Sequence, residues 1–302
     1  CLIKSVSIDA LFCVWGRIRV DIKKTIENDL NTLAAEFLHS LEYKIDINKG
    51  GFDQLLKLKH WIIEDRVRNV SFAQNFCVPQ KYEEGLEILL NKIKKGCGDI
   101  FRYQSRGLFN GNAKDSMFYD FGIHHLHLGI TTDLKHKKMI EGTKDVAFVY
   151  ISNEEVFFIS LMEHGEWHLQ NNLRILHKER PDLIQHRKVI GINGDDLTDE
   201  EILRCRKLGV NYLINIDGVT YKSESIVNFN GIAETVIFSH RLHSTIENIV
   251  IEQLDNFQKE FNIIESTRID MSLIDIDFNS FNNFKFKLNY NDNSIIYHVD
   301  IS

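Results

Sequence analysis

Apolar residues recur at three- and four-residue steps at Ile26, Leu30, Leu33, Ala34, Phe37, Leu38 and Leu41, which predicts a helix with these side chains on one face and Asp21 as its N-cap. Before it, Ile3 to Val20 shows strand character around Leu11 to Trp15. Gly50-Gly51 breaks the chain, and a second amphipathic helix follows from Phe52 to about Arg66, with Leu55, Leu56, Ile62 and Ile63 inward and Lys59 laying its stem along the same side. A third helix is predicted from Pro79, in the favoured first-turn position, through Tyr82, Leu86, Leu89, Leu90 and Ile93. It stops at Gly96 after three lysines suited to a helix C-terminus.

The period then changes. Cys97 to Met117 reads as a loop-rich crossing, and Phe118 to Gly129 as a strand that puts Ile123, His125 and His127 on one face and His124, Leu126 and Leu128 on the other. Thr131 to Lys144 is polar and basic and reads as an exposed loop. Asp145 to Ile151 and Val156 to Met162 form a hairpin, and the chain passes through His164-Gly165-Glu166-Trp167 into a helix marked by Leu169, Leu173 and Leu176 and ended by Pro181. A short strand is expected at Val189 to Asn193, and a helix after the capping box Thr198-Asp199-Glu200-Glu201. A hairpin turns at Asp217-Gly218, a strand is expected at Ile232 to Phe238, and a long helix from about Ser244 to Phe261. The tail, Ile269 to Ile301, alternates as strands around Tyr290-Asn291-Asp292-Asn293.

These elements predict an α+β fold in three parts: a mainly helical unit over 1–97, a central histidine-rich unit with a mostly antiparallel sheet over 98–243, and a helix with strands over 244–302 that packs on the centre. Composition adds little to this. The 302 residues carry a net charge of -7, which argues against a general nucleic-acid coat but leaves room for a local basic site. The five cysteines are scattered and lack a Cys-x-x-Cys pair, so neither a disulfide framework nor a zinc ribbon fits, and a reducing cytoplasm is the simplest setting. No apolar run is long enough to cross a bilayer.

Candidate chemistry concentrates in one stretch, since eight of the 13 histidines lie between His124 and His186. His125 and His127 share a strand face, where two imidazoles divide acid and base work or bind a metal; the same pair also reads as packed sheet histidines. His164 ends a strand, where folds expose reactive groups, and Trp167 beside it is either a flat surface for a base or a core anchor. Arg174 and His177 are three apart on the next helix; with Lys178, Arg180, the Lys135 to Lys138 run and His186-Arg187-Lys188 they make either a phosphate-binding patch or a solvated face. Asp120, Glu163, His164 and His168 are available as further metal ligands, but no spacing matches a known ligand set, so no tightly bound metal and no cofactor is expected. Serine-hydrolase, P-loop and dinucleotide-binding signatures are absent from the sequence.

The run Asp120-Phe-Gly-Ile-His-His-Leu-His-Leu-Gly129, followed by a hairpin and His164-Gly-Glu-Trp167, resembles a group of bacterial proteins without an assigned activity, over roughly residues 98–240. The order of strand, hairpin, terminal histidine and helix is similar in layout to the small sheet of RelE/ParE-type toxins, many of which are metal-independent ribonucleases. That likeness implies an endoribonuclease-like bacterial effector, of toxin or phage-defence type. The toxins' catalytic residues do not align here; the residue chemistry above makes His125, His127 and His164 its acid–base groups, Arg174 its phosphate stabiliser, and Trp167, His177 and Lys178 its substrate contacts. RNA, a second copy of the chain or an inhibitor protein are the partners so implied. The alternatives are a metal-dependent hydrolase built on His125 and His127 with a carboxylate, and a non-enzymatic interaction protein with structural histidines.

Overall fold

The computed structural model describes residues 8–97, 99–164, 170–208, 210–223, 233–263 and 269–302, with side chains from residue 22 onward and from residue 235 in the last helix. In chain order the helices and strands are α1 (Ile8–Ser40), α2 (Gly51–Trp61), β1 (Asn69–Phe72), α3 (Glu83–Lys95), α4 (Ser116–Phe121), β2 (Ile123–His127), β3 (Asp145–Ile151), β4 (Glu155–Glu163), α5 (Asn171–Glu179), β5 (Lys188–Val189), α6 (Asp199–Leu208), β6 (Leu213–Ile216), β7 (Val219–Lys222), α7 (Ala233–Glu260), β8 (Asp270–Ile276), β9 (Asn283–Tyr290) and β10 (Asn293–Asp300). The fold is α+β, as the periodicities predict.

The chain forms two compact units, one from 1–56 with 234–302 and one from 57–233. The expected terminal segments therefore share a unit. In it, α1 buries Ile22, Ile26, Leu30, Ala34 and Leu38 at four-residue steps, and α7 buries Leu242, Ile246, Val250 and Phe257. The antiparallel sheet β10-β9-β8 supplies Leu273, Phe284, Phe286 and Leu288 to its core. The Leu273 N–H donates to Asp29 Oδ2 at 2.8 Å, which ties α1 to β8.

The second unit is built on the sheet β1-β4-β3-β2, antiparallel except for the β1–β4 pair. One face packs Ile123, Val146, Phe148, Phe157 and Ile159 against Leu173 and Leu176 of α5. The other packs Leu126, Leu128, Val149 and Phe158 against Leu89 and Ile93 of α3. A smaller sheet, β5-β7-β6, adds Ile214, Ile216 and Tyr221 to the first face. Asp217 and Gly218, both at positive φ (49° and 82°), make the β6–β7 turn.

Several elements differ from the sequence pattern. Residues 11–15 are helical, inside α1, so Asp21 is not an N-cap. Residues 233–238, expected as strand, open α7. Phe118 to Phe121, expected as strand, are the last turns of α4, which Gly122 ends in the left-handed conformation (φ 71°) before the chain extends into β2. The α2 helix ends at Trp61 rather than near Arg66. A single 3-10 turn, Gln80–Tyr82, separates Pro79 from α3. Only Lys188 and Val189 pair as strand where Val189 to Asn193 was expected. These are short apolar runs whose helix and strand patterns coincide, and packing decides between them.

Candidate active site

Alternation along β2 divides its three histidines. His124 points to the α3 side, lies against the Phe118 ring with centroids 4.4 Å apart, and is driven by burial to a pKa of about 3. His125 and His127 point to the opposite side, opposite Phe148 and Val146 of β3. His164 follows β4, where its N–H donates to Lys144 O at 2.7 Å. The result is a three-imidazole cluster. The His127 and His164 rings stack at 5.4 Å, His164 meets His125 edge-on at 5.6 Å, and one ring nitrogen of each histidine lies within 4.8 Å of the others. His125 and His127 are buried, and the exposed His164 is the outer member.

The cluster's protons are fixed by its neighbours. Asp115 is the N-cap of α4: its Oδ1 accepts from the Phe118 N–H at 3.1 Å. Its Oδ2 lies 2.9 Å from His125 Nδ1, with both side chains 4% exposed. Burial pushes the Asp115 carboxyl up, but His125 and the Phe118 N–H outweigh it and hold the group below the usual carboxylate range. An anionic oxygen at this distance favours the tautomer with its proton on Nδ1, which makes the buried Nε2 the acceptor nitrogen of the neutral ring.

His127 is wired the other way. Its Nδ1 accepts the Thr143 backbone N–H at 3.0 Å. A backbone N–H can only donate, so neutral His127 carries its proton on Nε2. Thr143 is held in turn, because its Oγ1 donates to Asp145 O at 2.6 Å and accepts from the Leu128 N–H at 3.2 Å. Burial, reinforced by the charges of His125, His164 and Arg106, lowers the His127 pKa to about 3, so the ring is neutral at ordinary pH. Burial, His125 and Arg106 also lower the His164 pKa, against the pull of Asp115.

Arg106 is the cation beside the cluster. It comes from the 3-10 turn Arg106–Phe109 and pairs with Asp133. Gly142 lets it approach: a Cβ there would lie 3.1 Å from Arg106 Nη2 and 3.7 Å from His127 Cε1. Compared with known proteins, the chain matches no family model, no curated protein and no solved structure.

The structure brings together His125, His127 and His164, but not the rest of the expected set. Arg174 is exposed on α5 and its Nη2 donates to Gln170 Oε1 at 3.2 Å; the guanidinium acting on the histidines is that of Arg106. His177 lies with Nδ1 2.9 Å from Tyr221 OH, and Lys178 is exposed on the same helix. Arg180 is engaged by Glu155 and Asp182, and Arg187 is buried with Nη1 donating to Asp120 O, so they contribute no open patch. Trp167 and His168 lie outside the described residues. Asp120 is bound by Arg206 and Tyr212. Of the further ligands that the sequence offered, His164 joins His125 and His127, although no sequence spacing marks the three as a set. Three histidines are a sufficient ligand count for zinc or a similar ion, and Asp115 stands where an outer carboxylate supports a histidine ligand. The Thr143 N–H opposes this, because ligation through His127 Nε2 would displace the proton that the bond keeps there.

Proposed function

We propose that this protein is an endoribonuclease-like enzyme that cleaves RNA by histidine acid–base chemistry, without a required metal. The observation that carries the reading is the opposite wiring of two adjacent imidazoles: Asp115 leaves His125 Nε2 as an acceptor, and the Thr143 N–H leaves His127 Nε2–H as a donor. His125 takes the 2′-hydroxyl proton as that oxygen attacks phosphorus. The bond from phosphorus to the 5′ oxygen breaks, and protonated His164, the outermost ring, gives its proton to the leaving oxygen. His127 Nε2–H and the field of Arg106 oppose the charge that grows on the non-bridging oxygens. The products are a 2′,3′-cyclic phosphate and a 5′-hydroxyl. A toxin or phage-defence role and a cytoplasmic setting extend this reading from the resemblance described above; no helix among the described residues is long and apolar enough to cross a membrane.

A second reading, a metal-dependent hydrolase, is favoured by the 4.8 Å convergence of the three ring nitrogens. One experiment separates the two. Single-stranded RNA is incubated with protein in chelator and in added zinc, and product termini are analysed. Cleavage in chelator to cyclic-phosphate ends, with the alkaline limb of the pH–rate profile on the acid side of the ordinary histidine value, is expected from the lowered His164 pKa. Activity that vanishes in chelator and returns with zinc sinks the first reading in favour of the second, and RNA left intact in both conditions sinks both.

A further inference from the structure

We propose that the turn 106–109 and the loop 131–144 form a track that binds single-stranded RNA and leads it to the histidine cluster. This rests on the function proposed above. The loop is a built surface. Thr132 and Ile140 pair as an antiparallel bridge, and Met139 and Ile140 anchor its return arm in the interior. Asp133 Oδ1 accepts the N–H groups of both Lys135 and His136 at 2.8 Å, and its backbone N–H donates to Met139 O at 2.9 Å. Arg102 braces the loop from below, donating from Nε to Lys138 O at 3.2 Å and from Nη2 to Thr132 Oγ1 at 2.9 Å.

This framework holds Lys135 and Lys137 outward, and no ion pair engages either among the described residues. Asp133, the acid at the centre of the loop, is matched by Arg106, so the run from Lys135 to Lys138 presents net positive charge on a chain whose total is -7. Arg106 joins the two ends of the track, since the same side chain pairs with the loop and lies beside His127. Aromatic surface stands next to the charge: the half-buried Phe109 lies 5.8 Å from Lys138 Nζ and 6.0 Å from the Phe101 ring. Cations spaced along a strand's phosphates, with a ring on which a base can stack, are what single-stranded nucleic acid requires, and a duplex keeps its bases from such a ring.

The test uses the full chain carrying His125→Ala, so that binding is read without turnover. Fluorescence anisotropy of a labelled 12-nucleotide RNA, single-stranded or in duplex, is measured across a salt series, beside flotation with phosphatidylserine vesicles. Single-stranded RNA is expected to bind more tightly than duplex. Lys135→Gln, Lys137→Gln and Lys138→Gln together are expected to weaken binding at least about tenfold and to flatten the log–log salt slope by about 2, at roughly 0.7 per phosphate contact. Phe109→Ala is expected to weaken it roughly five- to one-hundred-fold with the slope unchanged. Circular dichroism melts confirm that each variant folds. Equal binding by the triple-glutamine protein, preference for duplex, or vesicle binding in place of RNA binding overturns the track. If the track binds RNA but the wild-type protein does not cleave it, the proposed reaction fails and the track stands; cleavage with unchanged binding in the triple variant has the opposite meaning.

Discussion

Asp115 and Asp120 stand at the two ends of α4, both buried, and they do opposite things with their charge. Asp115 divides its oxygens between the start of the helix and His125, and that imidazole continues to the exposed His164. Asp120 is closed in: Arg206 Nε and the Tyr212 hydroxyl (2.8 Å) both donate to its Oδ2, and Arg187 donates to its carbonyl. Burial pushes the Asp120 carboxyl up, against Arg206 and Tyr212, whereas Asp115 ends below its usual range. The difference lies in the partner. A histidine can pass a proton on near neutral pH; an arginine and a buried tyrosine cannot. One carboxylate caps α4 and holds His125, and the other ties Arg206 of α6 and Tyr212 to α4.

The largest expected effect separates these roles. Asp115→Asn keeps a helix cap but removes the anion behind His125, so RNA cleavage per folded molecule should fall about 100- to 10,000-fold. Asp120→Ala should leave Arg206 buried without its carboxylate and cost about 3–5 kcal/mol of stability, with the turnover of the folded fraction preserved. Equal loss of activity per folded molecule in both variants would erase the distinction.

Acid should sharpen the contrast between the two faces of β2. His124 and His127 sit near pKa 3 when folded and near 6.5 when unfolded. Between these values the unfolded chain binds more protons, so stability is complete above about pH 6.5 and declines as pH falls towards 3, by up to about 1.4 kcal/mol per pH unit for each histidine. Urea titrations at pH 7 and pH 5 should show this, and His124→Phe should remove its share without touching the cluster. A midpoint independent of pH would mean that neither ring is buried neutral. The smallest effect is expected at Arg174: its exposed guanidinium pairs with Gln170, so Arg174→Ala should change cleavage by less than about threefold. A loss comparable to that of Arg106→Ala would return it to the site.

Much of this was readable beforehand, and the misses have causes. Strand alternation placed His125 and His127 on one face and His124 on the other, and His164 stood at a strand end as its sequence context indicated. Local signals with a mechanism also held: the reciprocal Thr198–Glu201 cap, Gly96 past α3, and the Asp217-Gly218 turn. Asp115, Thr143 and Arg106 were not singled out because they leave no period in the sequence. Each comes from a turn or helix start whose position is set by tertiary packing. Asp115 alone carried a local sign, as a capping residue ahead of an apolar run. Arg174 illustrates the converse, since a helix period tells which residues share a face but not what that face meets.

The discontinuous unit sets an order in time. Residues 57–233, which carry the whole histidine cluster, are contiguous, whereas α1 belongs with strands made at the far end of the chain. At about 5–20 residues per second, α1 waits roughly 10 to 50 seconds after leaving the ribosome for β8 to β10 to be made. During that wait its stripe of Ile22, Ile26, Leu30 and Leu38 has no sheet to cover it. The histidine unit, contiguous in sequence, is complete in the emerging chain before those strands exist.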